Sequence, residues 1–211
     1  MRPAFLKTLI ICCTVAAASC STYSTRTELS AWKQLKSVQS FGILLRLPAN
    51  PRIPRAEIQE NISQWLSPAK QMKKTVLAGR CDDALCAYGE SNRFFQLSDD
   101  NNTFLSFKAR GVINLYLRQN EAALKNIMTE NSLDSLIIYE VYPVLSFEMQ
   151  FMDFESVICI VDRELNVLFI DRQSNRYEAD EINMDRMKKS LMDRISERLL
   201  LKLTDLGIVK V

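Results

Sequence analysis

Phe41 Gly42 Ile43 Leu44 Leu45 Arg46 Leu47 is an almost unbroken apolar run. It reads as a strand buried on both faces, because a strand with one wet face alternates apolar and polar residues. Pro48, Pro51 and Pro54 end the strand, and Pro54 can open a helix because its fixed φ suits the first turn. Ile58, Ile62, Trp65 and Leu66 then fall on one helical face, and Pro68 marks the stop. A buried strand followed by a sheet-covering helix predicts an α+β domain with α/β character, in which helices cover a mixed β-sheet.

Toward the C-terminus, residues 136–141, 157–161 and 167–170 are dense apolar strands. Only Arg163, Glu164, Leu165 and Asn166 separate the last two, which predicts a hairpin. The closing segment places Met184, Met187, Leu191, Ile195, Leu199, Leu203 and Leu206 at spacings of three and four. That is a long amphipathic helix of about seven turns, whose apolar stripe packs on the sheet. Its polar face mixes both charges, unlike the basic face of a membrane-lying helix. Glu178, Asp180 and Glu181 precede it, where acidic groups complement the helix dipole.

The middle of the chain supports two periodicities. Leu105, Phe107, Ala109, Gly111, Ile113, Leu115 and Leu117 alternate with polar residues, predicting a long strand over 104–118 with a bulge at Gly111. The same stretch also supplies a helical face through Leu105, Ala109, Val112 and Tyr116. Short strands are expected at 75–78 and 93–97, with a polar turn over 98–102. Residues 121–129 form a short helix, with Asn131 able to cap its C-terminal end.

Upstream of the domain, Arg2 and Lys7 precede an apolar stretch that ends in Ala17, Ala18, Ser19 and Cys20. The stretch is too short to cross a hydrocarbon core, which needs roughly 20 apolar residues. Small residues before a scissile bond are what a signal peptidase requires, and a cysteine directly after them resembles the lipobox of bacterial lipoproteins. Residues 1–19 are thus expected to be a signal peptide, 20–36 a lipidated cysteine and Ser/Thr-rich tether, and 37–211 a single envelope domain. The resemblance implies acyl chains on Cys20, and several chains together anchor stably where one is marginal.

Residues 1–19 contain two of the 27 basic residues and none of the 25 acidic ones, so the remainder is charge-balanced. Such a balance gives no drive toward nucleic acid. Cys81 and Cys86, separated by four residues in a polar segment, are a candidate disulfide in an exported chain, with a redox or metal pair as the rival. Cys159 sits inside an apolar strand and reads as a core residue. The chain has no histidine, which excludes His-based triads, His-liganded zinc and imidazole proton shuttles. No phosphate loop, nucleophile elbow or dinucleotide fingerprint appears. Asp82 with Asp83, and Asp99 with Asp100, lack the ligand spacing of a calcium loop. No catalytic residue, metal or cofactor is expected.

The order of signal, lipid cysteine, tether, buried strand and helix continues with the strand Ser132 Leu133 Asp134 Ser135 Leu136 Ile137 Ile138 Tyr139 Glu140 Val141. A hairpin through Cys159 Ile160 Val161 Asp162 and Val167 Leu168 Phe169 Ile170, then a final helix, complete it. This order resembles the α/β domains of envelope lipoproteins of the curli-secretion and penicillin-binding-protein-activator type. The resemblance implies a noncatalytic, protein-binding role in envelope assembly, transport or cell-wall synthesis, and it transfers no site residues. The expected partners are the membrane, through the lipid, and another envelope protein. Ser21 after the cysteine favours the outer membrane. A surface-displayed binder of a ligand or host factor, and a carboxylate-dependent hydrolase, are the alternatives.

Overall fold

The computed structural model describes residues 24–26, 29–47, 53–67, 70–71, 74–77, 102–146, 151–178 and 183–210. The apolar run is strand β2 (Ser40–Arg46), and all seven of its residues are buried. Around it stand β1 (Ser24–Arg26), α1 (Leu29–Ser37), α2 (Arg55–Leu66), β3 (Lys70–Gln71) and β4 (Lys74–Leu77). Then follow α3 (Asn102–Gln119), α4 (Glu121–Glu130), β5 (Ser135–Ser146), β6 (Phe151–Asp162), β7 (Val167–Glu178), α5 (Met184–Asp205) and β8 (Val209–Lys210).

Among the described residues, six strands form one mixed sheet in the order β1-β7-β6-β5-β2-β4. β2 runs parallel to both β4 and β5, whereas β5, β6, β7 and β1 form an antiparallel meander. Alternate residues along the strands feed two separate cores. Phe41, Ile43, Leu45, Ile137, Tyr139 and Ile158 face α1, α2 and α5. Leu44, Leu136, Ile138, Val157 and Cys159 face α3 and α4. The result is the expected α+β architecture, with helices on both sides of a mixed sheet. Two covered faces explain why β2 needs apolar residues at every position.

The final helix packs as its stripe predicts. Met187, Leu191, Ile195, Leu199 and Leu203 are buried, and the Asn183 side chain caps the first turn by accepting from the Asp185 and Arg186 amides. Its far end closes with the Ile208 amide on the Leu203 carbonyl and the Gly207 amide on Thr204. Gly207 sits at φ +68°, where a residue without Cβ carries no strain. Helix α4 ends with the same bond pattern, from Leu133 to Met128 and from Ser132 to Thr129. There Asn131 is the cap, its side chain donating to the Ile127 carbonyl, and Ser132 takes the left-handed position at φ 53°.

The strand expected over 104–118 is a helix, α3. Alternation would place Ile113, Leu115 and Leu117 on one buried face, yet Leu115 is 53% exposed. Among the described side chains of this helix, Ile113, Tyr116 and Leu117 are buried, at helical spacings of three and four. Gly111 is exposed on that helix and marks no bulge. The folded part also begins earlier than the tether reading placed it. β1 pairs with β7, and Leu35 of α1 is in the core. The expected strand at 93–97 and most of the turn at 98–102 lie outside the described residues.

Strands β5, β6 and β7 are each 12 residues long, well beyond their apolar centres. Arg46, the last residue of β2, lies opposite Glu140, and β5 runs on to Ser146. Beyond that level β5, β6 and β7 pair with one another without β2, and Val141 and Phe154 there still belong to the core.

Candidate functional site

Cys20, the expected lipid site, and Cys81 and Cys86, the expected disulfide, lie outside the described residues. Cys159 is a free thiol in the core, and burial pushes it up to about 12. Such a thiol is neither a nucleophile nor a ligand at neutral pH. Among the described residues no group of three or more Cys, Asp or Glu side chains converges as a metal site would require.

Polar chemistry concentrates at three places on the sheet. At the carboxyl end of β2, Arg46 Nη1 donates to Glu140 Oε2 at 2.7 Å across the parallel pair β2 and β5. Both side chains are essentially inaccessible. The guanidinium also lies 4.1 Å from the centre of the Tyr116 ring on α3, an arrangement in which the ring face meets a desolvated cation. β2 lies between β4 and β5, the next two strands of the main sheet in chain order, at the kind of position where open α/β sheets carry ligands. Here opposite charges fill that position and neutralise one another. Sequence reading passed over the pair, although each apolar run holds one charge, Arg46 in the first and Glu140 in the second.

On the other face, Lys202 Nζ on α5 lies 3.1 Å from Asp171 Oδ2 on β7, with Asp171 1% exposed. Gln173 Nε2 donates to the same oxygen. Nearby, α2 and α5 are joined by Asp193, whose carboxylate accepts from Asn61 Nδ2 and Trp65 Nε1, and by Ser196 donating to Asn61. The Lys202 contact orients α5 on the sheet, and the Asp193 and Ser196 contacts hold α2 against α5.

The third place is at the amino ends of β2 and β5. Asp134 Oδ2 accepts from the amides of Gln39 and Ser40 and from the Ser40 hydroxyl. Arg163, in the β6–β7 turn, donates to Asp134 Oδ1 and to the Leu133 carbonyl. Burial raises the Asp134 carboxyl, but the bonds from Ser40 and Gln39 and the Arg163 charge outweigh it and hold the group below its ordinary value. Beside this knot is a cleft of about 360 Å³ lined by Lys125, Met128, Thr129, Ser132, Leu133 and Arg163. Lys125 there pairs with Glu121 at 2.6 Å and Arg163 with Asp134, beside an apolar floor of Met128 and Leu133.

No protein-family model and no curated protein matches the chain. Among solved structures, the PelC dodecamer from Paraburkholderia phytofirmans aligns at a TM-score of 0.41 and 6% identity, covering 83% of this chain and 94% of that one. The same protein with one substitution, in a second crystal form, aligns at 0.41 and 6%, covering 82% and 95%. At that distance the likeness carries nothing about function to this chain.

Proposed function

We propose that this protein is a lipid-anchored bacterial envelope lipoprotein whose domain is a noncatalytic module that binds another envelope protein. The observation that carries the reading is the apolar stretch closed by Ala17, Ala18, Ser19 and Cys20. The described polar side chains are consistent with it, since the deeply buried ones pair with each other and serve packing. Arg46 with Glu140, and Asp171 with Lys202, are two such pairs. The cleft between Lys125 and Arg163 is a described concave surface that a partner segment would fit.

Metabolic labelling with a clickable fatty acid, in native chain and Cys20→Ser, tests the anchor. The expected result is label on the native chain and none on the variant. An unlabelled native chain found in soluble extracts overturns it. In-cell crosslinking tests the partner: a specific envelope-protein adduct is expected, and crosslinking no higher than background ends the binding reading.

A further inference from the structure

We propose that β1 and α1 form a releasable strap, which docks on β7 or leaves it as one unit and so sets how much free chain joins the domain to its anchor. The release stands on the fold, and the anchoring rests on acylation of Cys20. β1 contributes three residues to the sheet, Ser24, Thr25 and Arg26, paired with Arg172, Asp171 and Ile170 of β7. Its hold is a few backbone bonds at one flank of the sheet. α1 is nine residues long, short of the ~12–15 at which an isolated helix becomes even marginal in water. Among its described side chains, from Lys33 to Ser37, Leu35 is buried while Lys33, Gln34, Lys36 and Ser37 are exposed. Leu35, and Val38 just beyond the helix, are what this described part adds to the core.

The strand that receives the strap differs from the rest of the core. α1 packs on β7, whereas α5 lies over β5 and β6. Phe169 of β7 is apolar and in the core, but Asp171 and Gln173, which follow it on the same face, are polar and buried. Asp171 is met by Lys202 and by Gln173 Nε2. Gln173 Oε1, in a side chain only 6% exposed, accepts no hydrogen bond. A buried acceptor without a donor raises the free energy of the closed state, and water relieves it on opening. Gln173 directly follows the residues paired with β1, so opening this flank of the sheet hydrates it. Release of residues 24–37 adds fourteen residues, up to about 50 Å of extended chain, between Cys20 and the sheet. The same segment thus has the Ser/Thr-rich composition of a tether and the docked geometry of a strap.

Hydrogen–deuterium exchange with peptide mass spectrometry, on the full chain purified in detergent, tests the release. Peptides from β1 and α1 should exchange together and many-fold faster than peptides from β2 and β5. Gln173→Met removes the acceptor at little change in side-chain length, and should slow exchange of β1 and α1 several-fold relative to β2. Gln173→Leu serves if that variant does not accumulate. Exchange of α1 only as fast as that of β2, or fast exchange that neither variant slows, overturns the release. Clickable fatty-acid label on the native chain, lost in Cys20→Ser, supports the change in tether length. A native chain without label overturns that part and leaves the release standing.

Discussion

Arg46 and Glu140 face each other across adjacent parallel strands, 2.7 Å apart and sealed from solvent, under the ring of Tyr116. Removing one partner strands the other as an uncompensated buried charge, whereas removing both together leaves an apolar site. We expect Arg46→Met or Glu140→Leu alone to cost about 3–5 kcal/mol. The double variant should cost clearly less than the sum. Urea unfolding of the four members of the cycle gives the coupling, and strictly additive losses would show that the pair does not act as a unit.

Asp134 sets a pH dependence. Its folded pKa is depressed below the ordinary 3.8, so its contribution to stability is complete above that value and fades as pH falls through the lower folded pKa. Asp134→Asn should therefore lower stability at neutral pH and flatten the acid limb below about pH 4. The loss is modest, because the carboxylate is partly exposed and its pair with Arg163 is screened. Identical acid limbs for the two chains would remove Asp134 from the account.

Cys159 is expected to resist alkylation. Burial pushes its thiol up to about 12 from the ordinary 9.0, with Glu140 pushing the same way and Arg46 opposing. In the folded chain at pH 8, iodoacetamide should leave Cys159 unmodified, while in denaturant the same residue reacts fully. Because the folded value is raised, stability is untouched below pH 9.0 and declines as pH climbs toward about 12. Peptide mass spectrometry at position 159 reads the first effect, and rapid native-state labelling would refute it.

Two glycines should respond in opposite directions to alanine. A Cβ on Gly42 would come 2.5 Å from Leu133 Cδ1 and 2.9 Å from Leu136 Cδ1, both in side chains fixed in a packed core. Gly42→Ala should lose about 1–3 kcal/mol through overpacking. Gly111, exposed on α3, has nothing within 4 Å of the added carbon. Gly111→Ala should gain about 0.5–1 kcal/mol, as expected when a helical glycine is replaced. Thermal denaturation of both variants decides the matter, and a stabilised Gly42→Ala would mean that the two leucines shift without cost.

On the anchored face of α5, Leu191→Ala and Ile195→Ala each remove a fully buried side chain. Losses of about 2–5 kcal/mol are expected from transfer and cavity terms together. Leu201→Ala, on the same helix but 48% exposed, should cost far less. Equal losses at the three positions would contradict the assigned face.

Local pattern was enough to specify the elements whose periodicity admits one answer. The run from Phe41 to Leu47, short and closed by prolines, reads as a strand covered on both sides, and the stripe from Met184 to Leu203 reads as a helix with one buried face. The hairpin around Arg163 to Asn166 follows from two apolar strands with a four-residue gap. The proposed lipid signal at Cys20 likewise rests on residues that are neighbours in the chain. Where a segment satisfied two periods, as in 104–118, sequence alone did not choose. Packing chose, by burying Ile113, Tyr116 and Leu117 against the sheet and leaving Leu115 in solvent. Tertiary structure alone also decided which charges meet, because Arg46 and Glu140, or Asp171 and Lys202, are brought together only by strand register and helix docking. Pairing of that kind depends on residues far apart in the chain, and no local rule of propensity or spacing reaches across that separation.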